Sequence, residues 1–374
     1  MIYLDYSANT PADPAVLEAF CSAEQTYIGN PNSTHRAGQA AREEMARVTE
    51  RIAGLLGVSP PEIVYTSGAS ESNNLAIKGI AQASGHVRKH IISTVLEHSS
   101  VDGSLSALQR QGYEVDLVDI GRDGAIDLEH LRDLLREGTI LVSVSAVDSE
   151  LGTVQPIRQI AEILKDYPNC RLHVDATQAV GKTELVLEGV DTMSIAPHKF
   201  YGLNGSGLLI KRRKLVIEPQ IHGGTSTTPY RSGTPALALA VSIEKALELA
   251  LTNQTERVRQ IQALNDRLRA ALLRYPAVRI NSPEGAAPHI LNLSVQGVKG
   301  TVFQQALSEH GVCVSVKSAC STDGTPSKAV FAVSRDRKNA LSSWRISLSH
   351  LTTQKELGAF LQIFDRCYRE LLHD

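Results

Sequence analysis

The stretch Ser194-Ile195-Ala196-Pro197-His198-Lys199-Phe200-Tyr201-Gly202 places a lysine directly after a short apolar run, with Gly205 and Gly207 close behind it. A short apolar run bounded by turn residues is typical of a buried strand, so Lys199 stands at the end of such a strand. A lysine removed from water becomes an amine nucleophile and a base. Taken alone, Lys199 could also be a surface lysine whose stem covers apolar neighbours while its ammonium group reaches water.

A second stretch, Thr66-Ser67-Gly68-Ala69-Ser70-Glu71-Ser72-Asn73-Asn74, follows a predicted strand and opens a predicted helix. Small residues let the backbone approach an anion, and the first amides of a helix bind phosphate together with hydroxyl groups. The simpler interpretation is an ordinary serine cap with Glu71 nearby. On its own, the stretch favours that simpler interpretation.

A third stretch, His173-Val174-Asp175-Ala176-Thr177-Gln178, places Asp175 at the end of a buried strand. Ligands of open parallel sheets bind at the carboxyl ends of the strands. A carboxylate at that place can pair with the protonated nitrogen of a pyridine ring. An aspartate that caps the following turn is an equally good interpretation of Asp175 alone.

Short apolar runs alternate with longer amphipathic ones between about residues 60 and 210. Such alternation predicts strand–helix–strand units, and therefore an α/β fold whose mainly parallel sheet is covered by helices on both faces. Helices are predicted near 70–82, up to 105 and near 157–164. The predicted strands are 63–65, 91–94, 115–120, 139–147, 171–174, 193–196 and 207–210.

The pattern changes after about residue 235. One long helix is predicted over 236–272, broken only by a polar middle near Asn253, and a final helix over 353–372. Strands are predicted between them at 278–280, 290–295 and 344–348. Because 374 residues exceed one compact core, we expect two domains. They are a large domain of residues 16–250 and a smaller α+β domain of residues 1–15 and 251–374.

The composition is that of an ordinary globular protein, with 42% apolar and 21% charged residues. The net charge of -2 gives no general attraction to nucleic acid. No apolar run reaches the roughly 18 residues of a membrane span. The first residues lack the features of a signal peptide, so we expect a cytoplasmic protein. The 5 scattered cysteines favour neither a disulfide framework nor a zinc site, and no metal is expected.

The three stretches are specific in combination, because a phosphate loop, an aspartate strand and a lysine strand follow one another in that order. This order resembles the fold-type-I pyridoxal-phosphate (PLP) enzymes of the class V aminotransferase superfamily, and most closely the cysteine desulfurases of NifS and IscS type. The resemblance implies the PLP-dependent transferase fold, with a mainly parallel seven-stranded sheet. It runs through the segments 3–11, 29–33, 97–98, 222–224, 231–234, 318–321 and 344–347.

The resemblance implies a role for each matching residue. Lys199 would bind PLP as a Schiff base, Asp175 would pair with the pyridine nitrogen, and His98 would stack on the ring and serve in acid–base steps. Arg345 would hold the substrate carboxylate in a bidentate pair, and Asn32 would also contact the substrate. Further contacts to the cofactor would come from Gln178, Ala69, Ser70, His198, Asp148 and, from the neighbouring subunit of a homodimer, Thr234.

Cys320 differs from the other cysteines because a polar stretch with glycine and proline, residues 321–327, follows it. Such a stretch predicts a mobile loop, on which an exposed thiolate can reach a buried substrate. In the cysteine desulfurases, the cysteine of Ser-Ala-Cys takes the sulfur as a persulfide, and a long loop after it is typical of the first of the two groups. Cys170 and Cys313 lie inside apolar runs and are expected to be inert.

The implied reaction converts L-cysteine to L-alanine, and the sulfur passes to Cys320 and then to an acceptor protein. The acceptor would serve iron–sulfur cluster assembly or another thiolation. Two alternatives stay open. One is a different PLP reaction on the same fold, such as selenocysteine lysis or transamination, which would not need Cys320. The other is a slow, PLP-holding regulator, which departures from the family pattern at Asp148 and Ala196 would explain.

Asp148 is the departure with the clearest chemical consequence. The cysteine desulfurases have an asparagine there, whose amide N–H reaches the phenolic oxygen of PLP. An ionised carboxylate only accepts hydrogen bonds, so Asp148 would have to be protonated or turn away. In both cases we expect Asp148→Asn to lower the pKa of the cofactor's imine nitrogen and to raise the turnover of cysteine.

Overall fold

The computed structural model describes residues 1–85, 89–317 and 325–372. Its strands are β1 (Ile2–Tyr3), β2 (Ile63–Thr66), β3 (His90–Ser93), β4 (Glu114–Leu117), β5 (Thr139–Ser145), β6 (Arg171–Asp175), β7 (Thr192–Ile195), β8 (Gly207–Lys211), β9 (Val278–Ile280), β10 (Ile290–Val295), β11 (Val312–Cys313) and β12 (Ser343–Ser347). Its α-helices are α1 (Pro14–Thr26), α2 (Arg36–Leu56), α3 (Ala69–Ala83), α4 (Ser99–Gln109), α5 (Leu128–Leu134), α6 (Ile157–Ile163), α7 (Leu237–Thr252), α8 (Gln254–Leu272), α9 (Gly300–Glu309), α10 (Lys328–Ser334), α11 (Arg337–Ser342) and α12 (Gln354–Leu372).

The largest sheet of the described residues has seven strands in the order β2-β8-β7-β6-β5-β3-β4. Strand β8 is antiparallel to both of its neighbours, and the other neighbouring pairs are parallel. Every residue of β5 is buried, as expected for a central strand with helices on both faces. The predicted α/β fold with a mainly parallel, seven-stranded sheet is therefore confirmed, with strand ends shifted by a few residues.

The order of the strands brings the three diagnostic stretches together. Strands β6 and β7 are neighbours, and they end at Asp175 and just before the turn that carries Lys199. Strand β2 runs in the same direction as these two and leads into helix α3 through Gly68. The carboxyl ends of these strands lie at one edge of the sheet, which is the usual place for a ligand.

The long helix predicted over 236–272 is two helices, α7 and α8, which meet at Asn253. The Nδ2 of Asn253 donates to the carbonyl oxygen of Leu249 at 2.9 Å. An asparagine side chain that competes for backbone groups in this way disfavours a continuous helix. The helical stretch predicted over 236–272 is therefore divided at the polar middle that the sequence predicted near Asn253.

Helix α2 has no counterpart among the predicted elements, although the sequence carries its signal. Its buried residues recur at helical spacing, as in Ala41, Met45, Val48 and Ile52. The helix ends at Gly57, whose φ of 66° is a left-handed conformation that glycine adopts without strain. Helix α1, which begins after the capping residue Asp13, is also absent from the predicted elements.

Two smaller sheets form around the C-terminal third of the chain. One joins β12, β10 and β9 in antiparallel order, and the other pairs β1 with β11 in parallel. Their shared core includes Trp344 stacked on Phe303, with ring centroids 5.3 Å apart, and it also takes in Leu4. The N-terminal residues therefore pack with the end of the chain, while the predicted domain boundaries at residues 15/16 and 250/251 remain a prediction.

Among the helices of the described residues, none is both long and apolar enough to cross a membrane.

Candidate active site

A cavity of about 350 Å³ lies at the carboxyl edge of the large sheet. Its walls come from the segments that follow β2, β3, β5, β6 and β7, together with the N-terminal segment and strand β12. The structure thus brings together residues that are far apart in the sequence. The predicted site residues that line the cavity are Ala69, Ser70, His98, Asp175, Gln178, His198, Lys199 and Arg345.

Lys199 ends a short turn, Pro197–Lys199, that follows β7. Its Nζ donates to the carbonyl oxygens of Ser7 at 2.8 Å and Ala8 at 2.6 Å. Thr10 fastens the same turn, because its backbone N–H donates to the carbonyl of His198 at 3.0 Å. The N-terminal segment therefore holds the lysine amine at the cavity wall, where it can reach a carbonyl carbon.

The start of helix α3 forms a cradle for an anion. Its first residue is Ala69, and no side chain caps its first amides, since the capping position is Gly68 with a φ of 155°. A Cβ added to Gly207 would lie 2.5 Å from the Cα of Gly68, so this approach of two backbones requires glycine. Free amides at the positive end of a helix, with the Ser70 hydroxyl beside them, suit a phosphate.

His198 lies next to this cradle. Burial, with Lys199 close by, lowers the pKa of His198 to about 4. The imidazole is therefore neutral near pH 7. It can donate a hydrogen bond to an anion but brings no charge of its own.

Asp175 presents a carboxylate to the cavity although it is 4% exposed. Its Oδ2 accepts a hydrogen bond from Asn73 Nδ2 at 2.8 Å, and its Oδ1 accepts one from the backbone N–H of Thr177 at 2.9 Å. Hydrogen bonds to a carboxylate stabilise the charged form. This arrangement suits a protonated pyridine nitrogen, which needs an ionised partner.

Gln178 and Thr177 supply further polar groups to the same wall. The Gln178 Nε2 donates to the carbonyl of Ser7 at 2.9 Å, and its Oε1 accepts from Lys182 Nζ at 3.1 Å. The hydroxyl oxygen of Thr177 is buried and has no hydrogen-bond partner within the described part of the chain. A buried hydroxyl without a partner is costly, so a polar ligand in the cavity would satisfy it.

His98 caps the start of α4 and lines the cavity. Its Nδ1 lies 2.9 Å from Ser100 Oγ and accepts the backbone N–H of Ser100 at 3.2 Å. The preceding Glu97 is buried and accepts from Thr94 Oγ1 at 2.8 Å and from Ser145 Oγ at 2.7 Å. Burial raises the pKa of Glu97 to about 8. Through its hydrogen bonds to Thr94 and Ser145, Glu97 anchors the turn that positions His98.

Arg345 extends from β12 into the cavity wall, and its side chain is 2% exposed. Its Nη2 donates to Asp5 Oδ1 at 2.9 Å, and its Nη1 donates to the carbonyl of Ser149 at 2.7 Å. Its Nε is buried and has no partner among residues 1–85, 89–317 and 325–372. The guanidinium is therefore held in place while it keeps a donor for a carboxylate ligand.

Asp148 does not line this cavity but a neighbouring one of about 230 Å³, which also borders Lys317 and Thr325. Its Oδ2 accepts the backbone N–H groups of Glu150 and Leu151, so the side chain closes its own turn. Burial, reinforced by Glu150, raises the pKa of Asp148 to about 7. Its predicted contact with the cofactor ring stays a prediction.

Two other predicted site residues lie outside the cavity, and a third lies outside the residues that the structure describes. Thr234 lines a separate space of about 90 Å³ behind Ser67. Asn32 is exposed, and its Oδ1 accepts from Ser226 Oγ at 3.0 Å. Cys320 falls within residues 318–324, outside the described residues. The predicted roles of all three stay predictions.

Sequence reasoning missed Asp5, Asn73 and Thr177 as members of the site. Each lies inside a stretch that had been singled out, but its role depends on partners distant in the chain. Asn73, for example, bonds Asp175 across 102 positions of sequence. No cluster of three or more metal-ligating side chains occurs in the described part of the chain.

Comparison with known proteins adds the family context. The model of the family described as aminotransferase class-V matches residues 2–360. A NifS/IcsS protein homolog from Lactobacillus delbrueckii subsp. bulgaricus is 36% identical, over 99% of this chain and 97% of its own. The cysteine desulfurase IscS of Pectobacterium carotovorum is 40% identical, over 97% of this chain and 91% of its own. A solved NifS-like protein superposes with a TM-score of 0.92 at 33% identity, and the match covers 98% of each chain.

Proposed function

Because this chain belongs to the aminotransferase class-V family, we propose that it is a PLP-dependent cysteine desulfurase that converts L-cysteine to L-alanine. The observation that carries the proposal is one cavity that contains a lysine amine, an aspartate carboxyl group, a histidine and a buried arginine. These are Lys199, Asp175, His98 and Arg345. Relatives named as cysteine desulfurases match nearly the whole chain, which favours this reaction over others of the family.

The residues present fit PLP. The first amides of α3, with Ala69, Ser70 and neutral His198, would hold its phosphate, and Asp175 would pair with its pyridine nitrogen. Lys199 would bind it covalently, and the Thr177 hydroxyl, which has no partner in the described part of the chain, would gain a polar neighbour. When bound, PLP supplies an electron sink for negative charge that develops at the substrate Cα.

The substrate is positioned by its carboxylate. Arg345 binds that group through the donor that its partners Asp5 and Ser149 leave available. The Lys199 amine lies at the cavity wall and would act as the base that takes the proton from the substrate Cα. His98 serves proton transfers on its own side of the cavity.

Sulfur leaves as a persulfide of Cys320. The Cys320 thiolate attacks the sulfur of the substrate, so an S–S bond forms while the substrate C–S bond breaks. The electron pair of that bond and a proton go to the substrate Cβ, which becomes the methyl group of alanine. The sulfur is oxidised to the persulfide level as the carbon is reduced, so no external oxidant is required. The persulfide then passes its outer sulfur to an acceptor protein, for iron–sulfur assembly or another thiolation.

The working unit that we propose is a cytoplasmic homodimer in which Thr234 reaches the phosphate of the other subunit. Thr234 lies in its own chain in a space separate from the main cavity, behind the phosphate loop at Ser67. Sedimentation at decreasing concentration tests the dimer, with bound PLP measured by absorbance. PLP should be lost as the dimer dissociates, and a monomer with full affinity for PLP would contradict this part of the proposal.

The decisive experiment measures alanine release from cysteine, with and without a thiol acceptor. Cys320→Ser should keep bound PLP and release less than about 1% of the wild-type alanine, because the thiol acts after the substrate binds. Cys21→Ser is the matched control, since Cys21 is an exposed free cysteine, and it should behave as the wild type. Mass spectrometry should find the added sulfur on the Cys320 peptide.

The same measurements separate the alternatives. A selenocysteine lyase or an aminotransferase would keep its turnover in Cys320→Ser. A PLP-holding regulator would release no alanine in any variant. Added sulfur found only on Cys313 or Cys367 would remove Cys320 from its role.

A further inference from the structure

Asn73 connects strand β6 with helix α4 beside the cavity. It is fully buried on α3, one turn into the helix that starts at Ala69. Its Nδ2 donates to Asp175 Oδ2 at 2.8 Å and to Ser100 Oγ at 2.9 Å. Its Oδ1 lies 3.0 Å from His173 Nε2. The side-chain amide of Asn73 therefore forms two hydrogen bonds with residues of strand β6 and one with a residue of helix α4.

The directions of these hydrogen bonds follow from the chemistry of the partners. An ionised Asp175 only accepts, so the Asn73 amide must turn its nitrogen to Asp175 and its oxygen to His173. Burial holds the pKa of His173 well below its usual range, so the ring is neutral and carries one proton. That proton lies on Nε2, which faces the Asn73 oxygen. The Nδ1 of His173 then accepts the hydroxyl of Thr192, 2.9 Å away.

The other arm of the network leads to His98. The Ser100 hydroxyl accepts the second N–H of Asn73 and so points its own proton at His98 Nδ1, 2.9 Å away. The backbone N–H of Ser100 also points at that nitrogen, at 3.2 Å. With Nδ1 an acceptor for two donors, the proton of a neutral His98 lies on Nε2.

We propose that Asn73 is a positioning residue that orients the Asp175 carboxylate and also holds neutral His98 as the Nε2–H tautomer. The Thr192–His173 pair fixes which way the Asn73 amide turns. His98 therefore offers the cavity a proton donor rather than a base, while Lys199 remains the base. The proposed function supplies the roles of Asp175 and His98, and on those roles this inference rests.

The His98 arm is tested by nuclear magnetic resonance of histidine labelled with ¹³C and ¹⁵N in the PLP-loaded protein. The ring shifts distinguish the two neutral tautomers, and His98→Gln identifies the His98 signal. We expect the Nε2–H tautomer in the wild type. In Asn73→Ala the Ser100 hydroxyl is free to rotate, and we expect a second tautomer above about 10% of the population.

Asn74→Ala is the matched control for this measurement, because Asn74 is the next residue and its Nδ2 donates to the carbonyl of Ser70 at 2.8 Å, away from His98 and Asp175. It should leave the His98 signal unchanged. An Nδ1–H tautomer in the wild type would overturn the proposal, and so would an unchanged signal in Asn73→Ala. Should Asn73→Ala fail to fold, Ser100→Ala, at a half-exposed position, tests the same arm.

The Asp175 arm is tested by the affinity for PLP, measured from its absorbance. Loss of a hydrogen bond to a charged group should raise the Kd for PLP by about tenfold or more in Asn73→Ala. His173→Leu should show a similar rise because the Asn73 amide is no longer fixed. His173→Gln keeps an N–H donor and should recover most of the affinity. If His173→Gln and His173→Leu lose equal affinity for PLP, the shape of the His173 side chain matters and its N–H donor does not. The proposal would then be wrong.

The two proposals can fail separately. The tautomer of His98 can also be measured in protein stripped of PLP, where it depends on protein groups alone. Absence of cysteine turnover in the wild type would overturn the proposed function and leave the network intact. Normal cysteine turnover in a protein whose His98 is the Nδ1–H tautomer would overturn only the role of Asn73.

Discussion

Arg345 and Asp5 form an ion pair in which Nη2 lies 2.9 Å from Oδ1, with the two side chains 2% and 17% exposed. The pair joins strand β12 to the N-terminal segment. A buried charge is costly unless it is paired, so Asp5 keeps the guanidinium in the site before a substrate arrives. The Nε of Arg345 has no partner in the described chain and is the donor that we propose for the substrate carboxylate.

Replacing this guanidinium should affect substrate binding first. We expect Arg345→Lys to raise the KM for cysteine by about 30-fold or more, because a single ammonium group cannot keep the bonds to Asp5 and Ser149 and also present the donor that Nε offers. Steady-state kinetics measure the change, and the absorbance of bound PLP should stay the same. Arg366→Lys is the control, since Arg366 is exposed on α12. A KM within twofold of the wild type would place the substrate carboxylate elsewhere.

Loss of the Asp5 charge should affect stability. We expect Asp5→Asn to lower the free energy of unfolding by about 2–3 kcal/mol, because Arg345 would keep a buried charge without its partner. Urea unfolding measures the difference. Glu370→Gln removes the exposed partner of Arg366 and should cost less than about 1 kcal/mol. Equally small losses in both variants would mean that other groups compensate the Arg345 charge.

Lys199 should provide the covalent attachment of PLP. We expect Lys199→Ala to bind PLP without a Schiff base that borohydride can reduce. We also expect it to lose cysteine turnover by a factor of about a thousand or more. Mass spectrometry after borohydride treatment should find the added mass on the Lys199 peptide of the wild type only. Lys182→Ala is a useful comparison, since Lys182 contacts Gln178 within the site. Added mass that persists in Lys199→Ala would assign the link to another lysine.

Asp148 should make stability depend on pH. Its pKa is about 7 in the folded protein, against about 3.9 in an unfolded chain. Between pH 4 and 7 the folded form keeps a proton that the unfolded form releases, so the free energy of unfolding falls as the pH rises.

Asp148→Asn removes this proton and should be more stable than the wild type above pH 7. The difference should grow from pH 4 to pH 7 and reach at most about 4 kcal/mol, since each pH unit between the two pKa values corresponds to about 1.4 kcal/mol. Urea unfolding at several pH values tests this. A constant difference would show that Asp148 is ionised throughout. The expected change in the pKa of the cofactor's imine nitrogen is read separately, from absorbance.

The sequence allowed the large sheet and most of the cavity to be predicted, because the carboxyl ends of parallel strands converge. Asp175 ends β6 and Lys199 lies in the turn that follows β7, so their meeting follows from the alternation of strands and helices. The polar middle near Asn253 indicated where the helical stretch is interrupted, whereas the side-chain hydrogen bond from Asn253 to Leu249 is visible only in the structure.

The network around Asn73 was not predictable for a different reason. Its bonds to Ser100 and His173 span 27 and 100 positions, and they depend on how α3 packs on the sheet. Local pattern carries no information on such pairings. The pair of Asp5 and Arg345, separated by 340 positions, is another example.

The N-terminal segment has a consequence for how the protein is made. Ser7 and Ala8 hold the Lys199 amine, whereas strand β1 pairs with β11 and the carbonyl of Leu4 accepts from the backbone N–H of Ser347. During synthesis, strand β1 and the residues after it must therefore wait for β11 and β12, which lie some three hundred positions later in the chain. The cavity can be completed only when synthesis has passed Ser347, so its walls around Lys199 cannot assemble while β12 is missing.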